Sequence, residues 1–315
     1  MKPYTYALLA AAAACGLAAA ETAYTTPVGY VTTPIFGNAS GGSAGAGTLV
    51  APTLLRPVEF AAATTASPTG TSATFSGGVP LTLDGTYVLE ITEGANEGWW
   101  TTVVSSTANS ITVFDTFPGG LPTNTKVSVR KFNTISSVFG ATNSASLGAA
   151  DFIEILDPIT QSTTSVVYAG GWFDLVSEAP AGDYIIYPGT AVRVIVNGAS
   201  ALSLVTTGEV KTTDTQVDLY SGEAWVGQTV AAGGTFGNLG LASKILGTDE
   251  VLLYGADGGF GQVADSYVAS GGAMFNLATE ENAETVLVPD SSGMVVKRPV
   301  GANSTVTLPG QTITP

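Results

Sequence analysis

Apolar residues in this chain come in short runs broken at close intervals. Residues 87–92 read YVLEIT, residues 101–105 TTVVS and residues 110–114 SITVF. Residues 126–131 read KVSVRK, with Val127 and Val129 alternating against Ser128 and Arg130. A period of two in β-branched residues predicts half-buried strands. Gly, Pro, Asn, Asp and Ser stand between the runs and supply turns, as in FPGGLP (117–122) and YPGT (187–190). This pattern predicts an all-β fold: repeated β-sandwich or barrel-like units with long Gly/Ser/Thr-rich loops. Two loops are expected at residues 37–48, GNASGGSAGAGT, and 61–78, where Ala, Thr, Ser and Gly dominate. One short helix is expected at residues 278–285, ATEENAET, whose acids and alanines suit a solvated helix.

One shape recurs. Residues 165–175 read SVVYAGGWFDL, and residues 266–277 read SYVASGGAMFNL. Upstream, ADFIEIL (150–156) aligns with TDEVLLY (248–254). Gly170-Gly171 answers Gly271-Gly272, and Phe173 and Leu175 answer Phe275 and Leu277. Further on, Pro188 answers Pro289, Arg193 answers Arg298 and Gly208 answers Gly310. Ordered matches at nearly constant spacing predict an internal duplication over about 150–208 and 248–310. A weaker third unit is expected earlier, with Gly98, Trp99 and Arg130 as counterparts. A second recurring element is a strand arm, starting at Gly29 and again at Gly208. The glycine pair reads as a backbone bend inside a copied unit, in preference to a ligand site made twice. The expected organisation is 1–20 a signal peptide, 21–145 an N-terminal β-rich domain and 146–315 a C-terminal β-rich domain.

The leader rests on Lys2, an apolar run over residues 6–14 and a small-residue site at Ala18, Ala19 and Ala20. It is too short for a membrane span. A rival reading makes Cys15 the acylated residue of a lipoprotein signal, but Ala12 stands where such signals carry leucine. Past residue 20 the chain has neither cysteine nor histidine. That removes disulfides, Ser-His-Asp and Cys-His nucleophiles, His- or Cys-built zinc sites, His-ligated haem and iron–sulfur clusters. With 25 acidic and 10 basic residues the chain repels nucleic acid, and its bases are scattered. No phosphate-loop or dinucleotide fingerprint occurs, and the glycine-rich GADGGFGQ (255–262) reads as a turn.

Paired carboxylates are the surviving enzymatic route, as in a glycosidase. The pairs are Glu93 with Glu97, Asp249 with Glu250, and Glu280 and Glu281 with Glu284; solvated surface charge is the simpler account. Trp99, Trp100 and Trp225 are candidate glycan-stacking residues, with a place in the core as the rival. Asp214 with Asp218, or Asp257 with Asp265, are weighed for calcium, without an EF-hand pattern. No catalytic, cofactor-binding or metal-binding residue is assigned, and no cofactor is expected.

TTPVGYVTTPI (25–35), LVAPTLLRP (49–57), YVLEITEGANEGWW (87–100) and VRKFNTISSVFG (129–140) together resemble a family of uncharacterised exported proteins common in Verrucomicrobia. The resemblance implies export, a β-rich fold and paralogous copies; it brings no activity and no catalytic residues. The first reading is a non-enzymatic exported structural or interaction protein of the cell surface or an extracellular assembly. Its N-terminal segment is a candidate assembly arm through Thr25, Val28, Tyr30, Val31 and Ile35, with pairing inside its own domain as the rival. The alternative is a carbohydrate-binding module or carboxylate-dependent glycosidase. An outer-membrane barrel fits less well, because the strands are short. Expected partners are further copies of the chain or other envelope proteins, with a glycan under the alternative. No membrane span is expected after signal cleavage. The expected location is extracellular or cell-surface, with the periplasm as the rival.

Overall fold

The first strand carries the alternation the pattern predicts: in β1 (Val28–Ile35), Val31, Thr33 and Ile35 are buried while Val28, Tyr30, Thr32 and Pro34 are exposed. The computed structural model describes residues 27–37, 47–198, 200–254, 264–299, 301 and 303–313. The leader, Thr25, Asp257 and the GADGGFGQ turn lie outside them. Strands make up 47% of the structure and helices 5%, so the class is all-β. Among the described residues all sheets are antiparallel and no barrel closes.

After β1 come β2 (Gly47–Val50) and β3 (Leu54–Leu55). Residues 58–131 then form a body of their own. Its strands are β4 (Val58–Ala63), β5 (Ser72–Thr74), β6 (Tyr87–Ile91), β7 (Trp100–Ser106), β8 (Ser110–Val113) and β9 (Lys126–Lys131). They pair in the order β4-β9-β6-β7-β8-β5 around Phe60, Phe75, Leu89, Ile91, Val103 and Val129. The loop expected at 61–78 is in part strand, since β4 and β5 both pair into this sheet and Ala73 and Phe75 are buried. Small alanines and threonines there hide the period of two.

The chain next returns to its beginning. β10 (Asn133–Thr134) leads into α1 (Ile135–Phe139), where the Thr134 and Ser137 side chains cap each other's backbone. β11 (Phe152–Asp157), β12 (Ser162–Tyr168), β13 (Trp172–Asp174), β14 (Ile185–Ile186), β15 (Val192–Ile195) and β16 (Leu202–Val210) follow. β2 completes the five-stranded sheet β13-β12-β11-β15-β2, and β1 and β3 flank β16. The chain therefore does not divide near residue 145. Ala145 and Leu147 share one core with Ile35, Val50, Phe139 and Leu204, because the strands before the inserted body belong with those after it.

The last body comprises β17 (Thr215–Leu219), β18 (Gly222–Gly227), β19 (Gly234–Thr235), α2 (Phe236–Leu239), β20 (Glu250–Leu253), β21 (Asp265–Ser270), β22 (Ala273–Asn276), β23 (Leu287–Val288), β24 (Gly293–Arg298) and β25 (Ser304–Leu308). Its large sheet runs β22-β21-β20-β24-β18, strand for strand the order of β13-β12-β11-β15-β2. β17 pairs with β25 as β1 pairs with β16, and β19 with β23 as β10 with β14. Within the inserted body, β8-β7-β6-β9-β4 has the same order again. Gly98 precedes β7, which takes the place of β12, so Gly98-Trp99 does not stand where the Gly-Gly turns stand.

Those turns serve the backbone. Gly271 and Gly272 both have positive φ (58° and 84°), and Gly170 has φ 78°. A Cβ at any of the three would meet nothing within 4 Å, so the glycines supply conformation rather than close approach. After each turn the chain arches identically. Asp174 accepts from the N–H groups of Val176 (2.9 Å) and Ser177 (2.7 Å), and Asn276 accepts from those of Ala278 (2.8 Å) and Thr279 (3.1 Å). The expected helix at 278–285 is therefore an Asx-turn arch, since Asn276 offers those N–H groups a nearer partner than a helix would. The Asp174 carboxyl is held below its ordinary value, first by the Ser177 N–H. Its contribution is present above the unfolded carboxylate range near pH 4 and lost as pH falls through the lower folded value. Asp174→Asn is expected to keep the urea midpoint at pH 7, because Asn276 makes the same two bonds, and to flatten the acid limb of the midpoint-against-pH curve.

Candidate functional site

Charged residues inside apolar strands must find partners or distort the core. Glu90 is such a residue, in the run YVLEI of β6, and so is Lys211 just past β16; both are buried. The Lys211 ammonium contacts Glu90 and donates to Thr213 Oγ1 at 2.6 Å, and that hydroxyl donates to Glu90 Oε1 at 2.8 Å. Burial pushes the Lys211 amine below its ordinary value, and Glu90 opposes the shift. Beside them Arg130 of β9 donates to Glu209 Oε2 of β16 at 3.2 Å and to the Arg56 carbonyl at 2.9 Å. Both pairs tie the inserted body to the chain around β16. Glu90, Lys211 and Arg130 line a cavity of about 30 Å³ where the three bodies meet, together with Thr53, Tyr187 and Gln228. That volume suits water and is well below a ligand pocket.

Glu90→Gln is expected to cost about 1.5–3 kcal/mol at pH 7, the worth of a hydrogen bond to a charged group. The unfolded chain keeps its lysine protonated up to a pKa of about 10.4, while the folded amine titrates lower. The deficit is therefore expected to shrink as pH rises from 7 towards 9.5, because Lys211 sheds the unpaired charge. Urea titrations of both proteins at the two pH values check this.

The last body is joined differently. Gln216 of β17 donates its N–H to the Gly98 carbonyl at 2.9 Å, and the Trp100 indole donates to the Gln216 carbonyl at 2.8 Å. The inserted body thus closes the open edge of β17. Gly98 has φ 82°, and a Cβ there would lie 2.7 Å from the Asp214 carbonyl group, so glycine is required for the approach.

The three candidate stacking residues are scattered. Trp225 is buried between the two five-stranded sheets, among Leu49, Ala51, Ala191, Leu252 and Val295, with the Arg193 guanidinium 5.3 Å from its ring. Trp99 packs on Phe117 at 5.2 Å against the inserted core. Trp100 stacks on Tyr187 at 5.7 Å. Of the three, Trp225 is buried in the core, as the rival reading had it, while Trp99 and Trp100 are half-buried. The assembly arm is likewise no free segment. Val28, Tyr30, Val31 and Ile35 all lie in β1 and pair with β16.

Six of the candidate carboxylates have settled partners. Glu93 pairs with Lys126 at 2.6 Å on the surface, and Glu97 accepts from the Asp214 N–H at 3.2 Å. Asp249 is fully buried against Arg298, and Glu284 accepts from the Met274 N–H at 2.7 Å. Asp214 accepts from the Gly310 N–H at 3.2 Å, and Asp218 from the Thr305 hydroxyl at 2.6 Å. Among the described residues, no three His, Cys, Asp or Glu side chains gather as a metal site would need, and no helix is long and apolar enough to cross a membrane. Sequence reasoning missed Glu90, Arg130, Glu209 and Lys211. The legible signal was a lone charge inside an apolar run, strongest at Glu90.

Fold and site together define a class: an antiparallel β protein of several bodies, with two buried ion pairs, Glu90–Lys211 and Arg130–Glu209, at a joint between them. No family model, curated protein or solved structure matches the chain.

Proposed function

We propose that this chain is a non-enzymatic exported structural or interaction protein, built from copies of one β unit. One observation carries the reading. The buried charges that could have formed a reactive centre, Glu90, Lys211, Arg130 and Glu209, are spent on holding bodies together around a cavity of about 30 Å³. The shared strand order and the matched arches at Asp174 and Asn276 support the copied unit. Negative-stain microscopy and light scattering on the purified chain test the reading. Ordered assemblies, or a stable complex with another envelope protein, support it; turnover of a glycoside substrate overturns it.

Glycan binding is the second reading, and one observation favours it. Tyr187, stacked on Trp100 and 45% exposed, borders an open groove of about 330 Å³ with Ile155, Thr164, Asp183, Tyr184 and Ile185. Aromatic rings beside hydroxyls and a carboxylate suit a sugar ring. A glycan array compared with the Tyr187→Ala variant decides it: hits lost in the variant favour this reading, and an array without hits removes it.

A further inference from the structure

We propose that the free edge of β1 is a homotypic docking site, at which β1 pairs antiparallel with β1 of a second copy of this chain. This rests on the structural reading above and names its partner. The argument starts from backbone direction. Val210 donates its N–H to the Pro27 carbonyl at 2.9 Å, and the register runs from Val28 opposite Glu209 to Ile35 opposite Leu202. Antiparallel pairs alternate between hydrogen-bonded and non-bonded positions. Odd-numbered residues of β1 therefore bond to β16, and Val28, Tyr30 and Thr32 aim their N–H and C=O groups at the other edge. None of those groups has a hydrogen-bond partner among the described residues.

The last body shows what this edge accepts. Leu204 lies opposite Thr33, and Val306 lies opposite Val217. Gln216 of β17 thus holds the place of Thr32 of β1. Gln216 has its edge closed by the extended segment at Gly98, with an indole alongside. Two equivalent edges exist, and one is filled from within.

The open edge also lacks the guards that edge strands carry. Natural edges are blunted by lysine, by inward charge or by proline along the strand. β1 reads VGYVTTPI, with no charge and with proline only near its end. Its outer face presents Val28 (76% exposed) and Tyr30 (75%), next to Val205 (53%) on β16. A chain of net charge −15 repels its own copies across most of its surface, so an uncharged strand is where two copies can approach. A two-fold axis through Tyr30 sets Val28 of each copy against Thr32 of the other and closes roughly six N–H···O=C bonds. The occupant is then the same sequence running the other way, and the β3-β16-β1 sheet continues through both copies.

Sedimentation velocity on the full chain across concentration tests the proposal, with Tyr30→Glu as the first variant. The side chain is exposed, so the charge leaves the fold intact and sets two like charges together at the axis. A concentration-dependent dimer that Tyr30→Glu weakens by about a hundredfold is the expected result. Tyr30→Cys in a Cys15→Ala background supplies a second readout. Cα atoms of a hydrogen-bonded pair lie about 5.5 Å apart, within disulfide reach. Tyr30→Cys is expected to crosslink on oxidation, and Val205→Cys, one strand inward, is not. A wild-type chain that stays monomeric to high concentration overturns the proposal. So do assemblies that survive Tyr30→Glu without a Tyr30→Cys crosslink, which would leave the structural reading standing and the edge excluded. A different protein bound at β1 in place of a second copy also overturns it.

Discussion

Asp249→Ala is expected to lower the free energy of unfolding by about 3–5 kcal/mol, the cost of stripping one partner from a buried ion pair. Both side chains of the Asp249–Arg298 pair are completely buried. The guanidinium meets the carboxylate through two nitrogens, Nε at 2.9 Å and Nη2 at 2.5 Å, a fork that only arginine provides. Its remaining donor capacity goes to the Leu219 carbonyl at 3.1 Å and the Ser304 hydroxyl at 2.7 Å. Asp249 also accepts from the Leu246 N–H at 2.9 Å. Arginine cannot shed its proton, so the stranded charge has no escape of the kind open to Lys211. The deficit in Asp249→Ala should therefore stay constant between pH 7 and 9.5, where that of Glu90→Gln shrinks. Replacing both partners, Asp249→Leu with Arg298→Met, is expected to restore most of the loss. Urea unfolding of the single and double variants measures this, and a single variant within about 1 kcal/mol of the parent would refute it.

Trp225→Ala is expected to cost a similar amount, about 3–5 kcal/mol, and to change the shape of the transition. The ring is the largest apolar group in the small cluster between the two five-stranded sheets. Leu49, Ala51 and Ala191 on one side, and Leu252 and Val295 on the other, are too small to fill the gap. Arg193, which also pairs with Glu154, loses the ring under its guanidinium. Each body keeps its own core, so the variant should unfold in two calorimetric steps where the parent unfolds in one. A single transition at the parental midpoint would show that the joint lies elsewhere.

The class of the fold was legible because alternation is local. KVSVRK announces β9 whatever the rest of the chain does, and the Gly-Gly turns announce their hairpins. Aligning the two Gly-Gly stretches by residue identity does not follow the strand register. Thr190 and Ser292 turn back on Tyr187 and Pro289 through equivalent hydroxyl bonds of 2.8 Å and 2.7 Å, so Pro289 stands with Tyr187 and not with Pro188. Val194 lies opposite Ile153 and Val296 opposite Val251, which sets Val295, not Arg298, where Arg193 stands. Identity had matched residues that register separates. Long-range pairing was not legible at all. Nothing in VGYVTTPI says that its partner is LSLVTTGEV, and the body lying between them hides the link. The buried charges were illegible for a related reason: a lone Glu90 or Lys211 looks like surface until its partner, far away in sequence, is known.

The split of the first body also orders events in time. A chain made from its amino end at about 5–20 residues per second completes the inserted body early, since residues 58–131 are contiguous. β1 and β2 have no such luck. Val28 must wait for Glu209, and Gly47 for Ile195, a delay of roughly 10–40 s at that pace. Through that interval the uncharged, apolar β1 stands unpaired on both edges. The youngest form of this molecule is thus its stickiest, and the exposure ends only when β15 and β16 have been made, before the last body.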